Sequence, residues 1–284
     1  MTTCLNNLRQ IGLAVVSFAD SNQQRLPASW RTIRNEQGNA EQIPVYHLQQ
    51  TSFSWRTTIL PNLEEQSLHD QLNFSSTPIA QENEDFVGTI LPIFQCPTTP
   101  DSPRSVFSAG VAAGMGANDY VHLFMVGTQE EESSYAISAE QVSGAWYGLN
   151  RYEFLNLGDD FVNPQQRPGA RGSAPLRFII DGLSKTVLLA EKAGWPDTYV
   201  DGQHVDRGPW AEGVWAAAEL GGFGKARINW SNFPSIYSFH PSGAHVAMCD
   251  GSVRFLGDDT STDVVVDLCS RDGREADLQA TETP

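Results

Sequence analysis

The stretch that decides the fold is residues 238–256, SFHPSGAHVAMCDGSVRFL. Its pair Asp250-Gly251 accepts the two positive φ angles of a type I′ turn, and a short run containing several apolar residues lies on each side of it. A two-residue turn would place Met248 opposite Val253 and gather the large apolar side chains on one face. The sequence therefore predicts a β-hairpin at or near a sheet edge, with one face on the core.

The start of the chain has a different period. Between residues 4 and 19, apolar side chains recur at spacings of four, three, four and three, at Cys4, Leu8, Ile11, Val15 and Phe18. This spacing places them along one stripe of an α-helix. We expect the stripe to pack against the sheet.

The remaining elements complete the prediction of the fold class. We expect a two-part helix over residues 55–72, short strands over 94–97, 176–180 and 187–190, and a helix from Ser261 to about Ser270. Regular alternation of strands and helices, which a parallel α/β fold needs, is not seen. The sequence thus predicts one α+β domain over residues 1–275, with an N-terminal helix on a mostly antiparallel sheet with large inserted loops, and a polar tail over 276–284.

Charge and hydropathy exclude some functions. The chain has 284 residues and a formal net charge of −16, from 34 acidic and 18 basic residues. A field of that sign repels phosphate backbones, so we expect no nucleic-acid partner. No apolar run approaches the roughly 20 residues that span a bilayer, and the first residues lack the pattern of a signal peptide.

The four cysteines are Cys4, Cys96, Cys249 and Cys269. Four cysteines allow three ways of forming two bridges, and their spacing does not choose among them. No two form a C-x-x-C pair, which argues against a zinc knuckle. Disulfide bonds and buried free thiols, the latter for at least two of the four, both remain open interpretations.

Acidic side chains suggest two kinds of site. Asp181, Glu191 and Asp250 fall at strand ends or turns and could form the carboxylate pair of a hydrolase if their strands are neighbours. The competing interpretation is that aspartate in an Asp-Gly pair is a turn former. Calcium, the one cofactor considered, has weak candidate ligands in two loops, at Asp197, Asp201 and Asp206 and at Asp258 and Asp259. Neither loop has EF-hand spacing, and solvated acidic loops are the simpler interpretation.

Five motifs, taken in order, resemble a family of pseudopilin-like bacterial envelope proteins of unknown function, related to type IV pilins and type II secretion pseudopilins. They are Cys4–Ala14, Ser54-Trp55-Arg56 with Leu60–Glu64, Phe94–Pro97, Asp181-Gly182 through Glu191, and His240 followed after nine residues by Asp250-Gly251. The resemblance spans residues 4–275. In the last motif we expect a structural role for His240, whose side chain would hydrogen-bond the loop leading into the hairpin.

The resemblance implies a pilin-like fold and a structural, non-enzymatic function in the cell envelope, at the periplasmic side or the cell surface. It implies that the chain is a piece of a longer protein with a prepilin leader and a membrane-spanning half-helix, which anchors it in the inner membrane. Its partners would be other pilin-like subunits or secretion-system components. If Met1 is the natural start, the protein would instead be cytosolic.

Two other functions stay open. The first is a surface-displayed module that binds glycans or peptides through the irregular regions 108–175 and 194–233, which contain Trp146, Trp195, Trp210, Trp215 and Trp230. Aromatic side chains exposed in a shallow groove would favour it, since indole rings stack on sugars. The second is the hydrolase based on the three carboxylates named above.

Overall fold

The protein combines short helices with short strands in an α+β fold. The computed structural model describes residues 2–32, 52–106, 114–123, 125–130, 141–143, 175–207, 213–219 and 221–272. In chain order the elements are α1 (Thr2–Ser21), β1 (Trp30–Thr32), β2 (Ser52–Ser54), α2 (Trp55–Ile59), α3 (Gln66–Gln71), α4 (Glu84–Val87), β3 (Ser105–Val106), β4 (Met115–Gly116), β5 (Tyr120–His122), β6 (Met125–Glu130), β7 (Gln141–Ser143), β8 (Val187–Glu191), β9 (Asp197–Val200), β10 (Gln203–Arg207), β11 (Gly222–Lys225), β12 (Gly243–Met248), β13 (Val253–Gly257) and α5 (Thr262–Cys269). Short 3-10 helices add Leu60–Leu63, Gln81–Asn83, Pro92–Phe94 and Leu176–Phe178.

A four-stranded antiparallel sheet forms the centre, in the strand order β13-β12-β8-β5. Every residue of β12 and of β8 is buried, which requires cover on both faces of the sheet. Helix α1 contacts β12, β8 and β13 from one side, and α5 packs near β8 on the other. The predicted α+β class, with an N-terminal helix packed on a mostly antiparallel sheet, is confirmed.

The predicted hairpin is present, but its register is wrong by one residue. Ala247, not Met248, pairs with Val253. The N–H of Met248 donates to the carbonyl oxygen of Ser252 at 2.8 Å, which leaves a three-residue loop in place of a two-residue one. Gly251 has a φ of +82°, so it is the left-handed residue that closes such a loop.

The side chains of β12 alternate between two cores. Ala247 and Cys249 belong to the core under α1, whereas Val246 and Met248 belong to the core under α5. The apolar side chains of β12 are therefore divided between two cores. The predicted single apolar face is wrong because both faces of this strand are covered.

Helix α1 lies along β12 as its apolar stripe predicted. Cys4, Leu8, Ile11 and Val15 are fully buried. An ideal Cβ atom on Gly12 would lie 3.5 Å from the Cβ of Ala247, so the helix backbone comes close to the sheet at that point. Further along, Leu13 and Val16 reach the turn at Gly251. The helix thus starts at the opposite end of the sheet from the hairpin turn.

The second face carries α5 and a three-stranded sheet in the order β11-β6-β7. Its β11–β6 pair is parallel, whereas the other ladders among the described residues are antiparallel. Val265 and Val266 of α5 pack with Phe223 and Val126 of these strands. The helix predicted from Ser261 is therefore confirmed.

Two predicted strands are wrong. Residues 94–97 form the end of a 3-10 helix, Pro92–Phe94, and the turn that follows it. The fixed φ of Pro92 favours the start of such a helix. Over 176–180 the chain forms another 3-10 helix after Pro175. The strand predicted over 187–190 and the two-part helix over 55–72 are confirmed. The predicted domain boundary at residue 275 lies outside the described residues.

Across the described ranges, no helix combines the length and the apolar character that crossing a bilayer demands.

Candidate functional site

Four of the five sequence motifs meet at one buried point. They supply Cys4 from the start of α1, Cys96 from the turn after Pro92–Phe94, Glu191 from the end of β8 and His240 from the turn before β12. One atom of each side chain that could bind a metal, a sulfur, a carboxylate oxygen or an imidazole nitrogen, lies within 4.8 Å of the other three. All four residues are buried. We call these four residues the Cys–His–Glu cluster.

Cys4 and Cys96 form a disulfide bond across 92 residues of sequence, with their Cα atoms 5.2 Å apart. Asn7, one turn further along α1, holds the two segments together. Its side-chain amide donates to the carbonyl oxygens of Pro92 at 3.1 Å and Gln95 at 3.0 Å. Of the two interpretations that the sequence left open, a disulfide bond therefore applies to Cys4 and Cys96.

The other two cysteines, Cys249 and Cys269, are buried free thiols. Burial raises the pKa of both thiols, that of Cys269 to about 12, so both stay protonated at neutral pH. They pack in the two cores on opposite faces of the central sheet. Both behave there as small apolar side chains.

Glu191 carries the charge of the Cys–His–Glu cluster. One carboxylate oxygen lies 3.1 Å from Nε2 of His240. The other accepts a hydrogen bond from the backbone N–H of His245 at 2.7 Å and lies 3.4 Å from Nδ1 of that residue. Burial raises the pKa of Glu191, but the hydrogen bonds from the two histidines outweigh burial and leave the pKa below its ordinary value. The carboxylate is therefore ionised at neutral pH.

His240 connects separate segments of the chain. Its ring Nε2 also lies 3.7 Å from Sγ of Cys96. Its Nδ1 lies 3.3 Å from Oγ1 of Thr98. Its backbone N–H donates to the hydroxyl of Ser238 at 3.0 Å, within the loop before the hairpin. The ring thus reaches across to Cys96 and Glu191, and the backbone makes the contact within the loop.

Asp119, which the sequence analysis did not single out, supports this loop. Its buried carboxylate accepts hydrogen bonds from the backbone N–H groups of Cys96 at 2.8 Å and Gly194 at 3.0 Å. The guanidinium of Arg104 adds two more, at 2.6 and 3.1 Å. The hydroxyl of Thr99 donates a further one. The carboxylate of Asp119 therefore fixes the backbone position of Cys96 independently of the side chains of the cluster.

Sequence reasoning missed Asp119, Thr98 and His245 as site residues. Each of them acts through a contact with a residue far away along the chain, which no local pattern encodes. One signal was available: Asp119 stands directly before a fully buried strand, where an acidic side chain needs a partner.

A second buried polar group adjoins β5. Arg56, from the Ser54-Trp55-Arg56 motif, pairs with Glu219 and donates to the carbonyl oxygen of Tyr120 at 2.7 Å. Its guanidinium lies 4.8 Å from the ring centroid of Trp55. Burial lowers the pKa of Arg56, and the charge of Glu219 partly offsets this effect. The guanidinium stays charged.

His122 lies between two buried cations. Burial lowers the pKa of His122 well below its ordinary value, and the charges of Arg56 and Lys192 lower it further. Lys192 donates to the carbonyl oxygen of Gly222 at 3.1 Å, with its ammonium 4.8 Å from the ring centroid of Trp195. His122 is therefore neutral at physiological pH.

The two Asp-Gly pairs, Asp181-Gly182 and Asp250-Gly251, form turns at one end of the central sheet. Gly182 and Gly251 have φ angles of +103° and +82°, which favour glycine. The carboxylate of Asp250 accepts hydrogen bonds from the N–H and the hydroxyl of Ser252 at 2.9 and 2.6 Å. The backbone N–H of Asp250 donates into the loop after Gly182. Both Asp-Gly pairs therefore form turns, and the contacts of the Asp250 carboxylate lie within its own turn.

The structure does not unite the three carboxylates of the hydrolase hypothesis. Glu191 ends β8, whereas the turn at Asp250 contacts the loop after Asp181, before the start of that strand. Five residues of strand span roughly 13–16 Å, more than the about 5–9.5 Å that separates paired glycosidase carboxylates. Glu191 therefore cannot act with the other two on one substrate bond.

Three of the acidic calcium candidates, Asp197, Asp201 and Asp258, have partners within the protein. The carboxylate of Asp201 forms an ion pair with Arg227. Across the β9–β10 pair, Oδ1 of Asp197 lies 3.9 Å from Nε2 of His204. Asp258 accepts a hydrogen bond from the side-chain amide of Asn229 at 3.0 Å. Asp206 lies in β10. Asp259, beside Asp258, joins no convergent set of ligand atoms. Within the described ranges, the Cys–His–Glu cluster alone gathers three or more metal-type ligand atoms.

The tryptophans offer little to a carbohydrate ligand. Trp195 is 7% exposed and Trp215 is fully buried. Trp230 is half-buried. Trp146 and Trp210 lie outside the described residues. A shallow aromatic groove finds no support in the indoles that the structure does describe.

Comparison with known proteins places these elements in a family. A family model described as Protein of unknown function (DUF1559) matches residues 1–263, which include α1, the Cys–His–Glu cluster and the hairpin. No curated protein and no solved structure matches the chain.

Proposed function

Since the chain belongs to the family described as Protein of unknown function (DUF1559), we propose that it is the head of a pseudopilin-like subunit. In this role it is a structural, non-enzymatic part of a type IV pilin-like or type II secretion-like envelope assembly. Its partners are other pilin-like subunits or secretion-system components. A helix upstream of residue 2 anchors the full protein in the inner membrane, with the head in the periplasm or at the cell surface.

The observation that carries the proposal is the attachment of α1 to the head. The helix lies along β12 with its inner face buried, and the Cys4–Cys96 bond fixes its first turn to a loop 92 residues away in sequence. A helix held in this way can transmit the position of the head to any segment that continues it upstream. A subunit that assembles through a shared helix needs this rigid connection.

The disulfide bond also supports an envelope location. Disulfide bonds persist in oxidising compartments such as the bacterial periplasm and are rare in the cytosol. The bond here is buried on both sides. The proposed compartment and the chemistry of Cys4 and Cys96 therefore agree.

The outer face of α1 is the candidate assembly surface. Its exposed side chains are mostly polar, at Thr3, Asn6, Arg9, Gln10, Ser17 and Asp20. Leu13 is the exception: it is 49% exposed, and the rest of its side chain reaches the turn at Gly251. An apolar side chain on an otherwise polar helix face provides a contact for the helix of a neighbouring subunit.

The first experiment concerns the natural protein. We expect the coding sequence upstream of Thr2 to contain a Gly-Phe-x-x-x-Glu leader followed by about 20 apolar residues. A prepilin peptidase should shorten this protein, and the product should sediment with the inner membrane. A natural protein without this segment, recovered from the cytosolic fraction, would contradict the proposal.

The second experiment tests the assembly surface in that full-length protein. Leu13→Asp should abolish cross-linking between neighbouring subunits in membranes, because it puts a charge into the helix contact. Val264→Asp is the matched control, since Val264 is 45% exposed on α5, on the other side of the sheet. Both variants should unfold within a few degrees of the wild type. Equal cross-linking in the two variants would show that α1 is not the contact.

A further inference from the structure

The Cys–His–Glu cluster has the composition of a metal site as well as that of a disulfide. It contains two sulfurs, an imidazole nitrogen and a carboxylate oxygen, all of them buried. These are the ligand types that Zn²⁺ takes in tetrahedral sites. In sequence, the four residues are far apart, so no short zinc motif reveals them.

We propose that, when the Cys4–Cys96 bond is reduced, Cys4, Cys96, His240 and Glu191 bind one Zn²⁺ ion. The site then has two exclusive forms, a disulfide in an oxidising compartment and a zinc dithiolate in a reducing one. This proposal does not depend on the assembly role.

Two distances between ligand atoms in the oxidised form are already close to those of a tetrahedron. With bonds of about 2.0–2.3 Å, the ligand atoms of a tetrahedral zinc site lie roughly 3.3–3.8 Å apart. Nε2 of His240 is 3.7 Å from Sγ of Cys96 and 3.1 Å from the nearer oxygen of Glu191. Breaking the sulfur–sulfur bond lets the two sulfurs separate to this range. The ion then occupies the space between four groups that are already neighbours.

The surroundings orient two of the ligands. Metal-binding histidines use one ring nitrogen for the ion and the other for a hydrogen bond. His240 directs Nε2 into the cluster and Nδ1 towards the hydroxyl of Thr98. Glu191 uses one oxygen towards His240 and keeps the other on the N–H of His245. Each ligand therefore presents one atom to the ion while the rest of the protein holds its second atom.

The sulfur and carboxylate groups of the cluster, together with the ion, carry the same summed charge in both forms. With the disulfide, the sulfur and carboxylate groups sum to −1, from Glu191 alone. With two thiolates, Glu191 and Zn²⁺, they sum to −1 again. These groups thus exchange a covalent bond for an ion without a change in their summed charge, and burying additional charge is costly.

The exchange balances as two separate steps. A dithiol reductant gives two electrons and two protons to the sulfur–sulfur bond, which yields two thiols and the cyclic disulfide of the reagent. Zn²⁺ then forms bonds to two sulfurs, one nitrogen and one oxygen, while the two thiols release their protons to water. Oxidation by a disulfide reagent reverses both steps and expels the ion.

Cobalt provides the direct test, because Co²⁺ replaces Zn²⁺ in such sites and its bonds to thiolate sulfur absorb in the near ultraviolet. The purified chain is treated with dithiothreitol without oxygen until four thiols per chain are counted, against two in the oxidised protein. The reagent is removed, circular dichroism checks the fold, and Co²⁺ is added. We expect one Co²⁺ per chain with a sulfur-to-metal band that Zn²⁺ abolishes, and no band in the oxidised protein.

Variants separate the four-residue site from adventitious thiol binding. In the reduced protein, His240→Gln and Glu191→Gln should each weaken Co²⁺ binding by at least about tenfold, and Thr98→Val by about tenfold through the hydrogen bond to the ligand. His204→Gln, beside the exposed Asp197, and Cys269→Ser are controls that should bind like the wild type. A band that survives in His240→Gln and Glu191→Gln, or that disappears in Cys269→Ser, would overturn the proposal.

Thermal unfolding provides a readout that needs no variant. A hundredfold excess of Zn²⁺ over its dissociation constant should raise the unfolding midpoint of the reduced wild type by about 5 °C or more. The oxidised protein should show no such rise. A reduced, folded chain with four thiols that neither binds Co²⁺ nor gains stability from Zn²⁺ has no site.

Discussion

Glu191 and His122 show how neighbouring charges set the ionisation of buried side chains. Neither residue is exposed, so burial disfavours the charged form of both. Hydrogen bonds from His240 and His245 nevertheless keep Glu191 ionised. His122 has cations for neighbours and stays neutral. The central sheet thus contains both a buried carboxylate that is ionised, Glu191, and a buried imidazole that is neutral, His122.

The neutral state of His122 predicts a pH dependence of stability. Its pKa in the folded protein lies well below 6.5, its ordinary value. As the pH falls below about 6.5, the unfolded chain takes up a proton at His122 that the folded chain refuses, so the free energy of unfolding falls. This one proton contributes about 1.4 kcal/mol per pH unit, and the loss ends at the folded pKa.

Denaturant titrations at a series of pH values check this prediction. The difference in unfolding free energy between the wild type and His122→Asn should change with that slope between pH 6.5 and about 5, because the contributions of all other groups cancel. His204→Asn, on the exposed β9–β10 pair, controls for loss of a histidine and should leave the slope intact. Parallel curves for the wild type and His122→Asn would refute the assignment.

Helix α1 and the hairpin show what local patterns can and cannot encode. The stripe of Cys4, Leu8, Ile11 and Val15 predicted the helix and its buried face, because periodicity alone determines which side chains share a face. The hairpin was equally visible around Asp250-Gly251. Its register was not, because an Asp-Gly pair fits both a two-residue loop and the last two positions of a three-residue loop. One more residue in that loop moves the side chains of β13 to the other face relative to β12, so that Val253 lies opposite Ala247.

The close approach of α1 to the sheet predicts the sign of two substitutions. A methyl group at Gly12 would sit at ordinary contact distance from Ala247. Gly12→Ala should therefore raise the free energy of unfolding by about 0.5–1 kcal/mol, because alanine loses less backbone entropy in a helix. Gly12→Leu should lower it by about 1–3 kcal/mol, because the larger side chain overpacks the interface.

Urea unfolding of the two Gly12 variants measures both effects. The opposite signs act as mutual controls, since both variants remove the same glycine. A loss of stability in Gly12→Ala would mean that α1 lies nearer the sheet than the 3.5 Å contact indicates.

At the scale of the whole molecule, the Cys–His–Glu cluster unites the first and last quarters of the described chain. Each of its four residues belongs to a separate sequence motif, and these motifs were recognised through the resemblance to a family. The motifs could not give the pairing of Cys4 with Cys96, because their proximity results from the docking of α1 and from the hydrogen bonds of Asn7 and Asp119. The same holds for Arg56 and Glu219. Contacts of this range follow from the assembled fold.

The disulfide bond should contribute strongly to stability because it closes a long loop. For a separation of 92 residues, the loss of chain entropy in the unfolded state corresponds to about 4–5 kcal/mol, and measured values for native bridges are about 2–5 kcal/mol. The double variant Cys4→Ser, Cys96→Ser should lose stability in this range. Guanidinium unfolding under oxidising conditions measures the loss.

Cys269→Ser is the control for placing a hydroxyl in the core. Cys269 is as fully buried as the bridged cysteines but has no bridge. Its variant should lose only about 1–3 kcal/mol, the cost of burying an unsatisfied hydroxyl. If the double variant loses no more than Cys269→Ser, the bridge does not restrict the unfolded chain.

The position of the bridge at the first turn of α1 has a mechanical consequence. Tension that enters α1 at its first residues would reach the covalent link at Cys4 before it could peel the helix away from β12 turn by turn. The force would pass into the loop at Cys96 and through Asp119 into the central sheet, where rupture requires many ladder bonds to shear together. A subunit pulled from its N-terminal end would thus resist as a unit, and reducing agents should lower the force at which it yields.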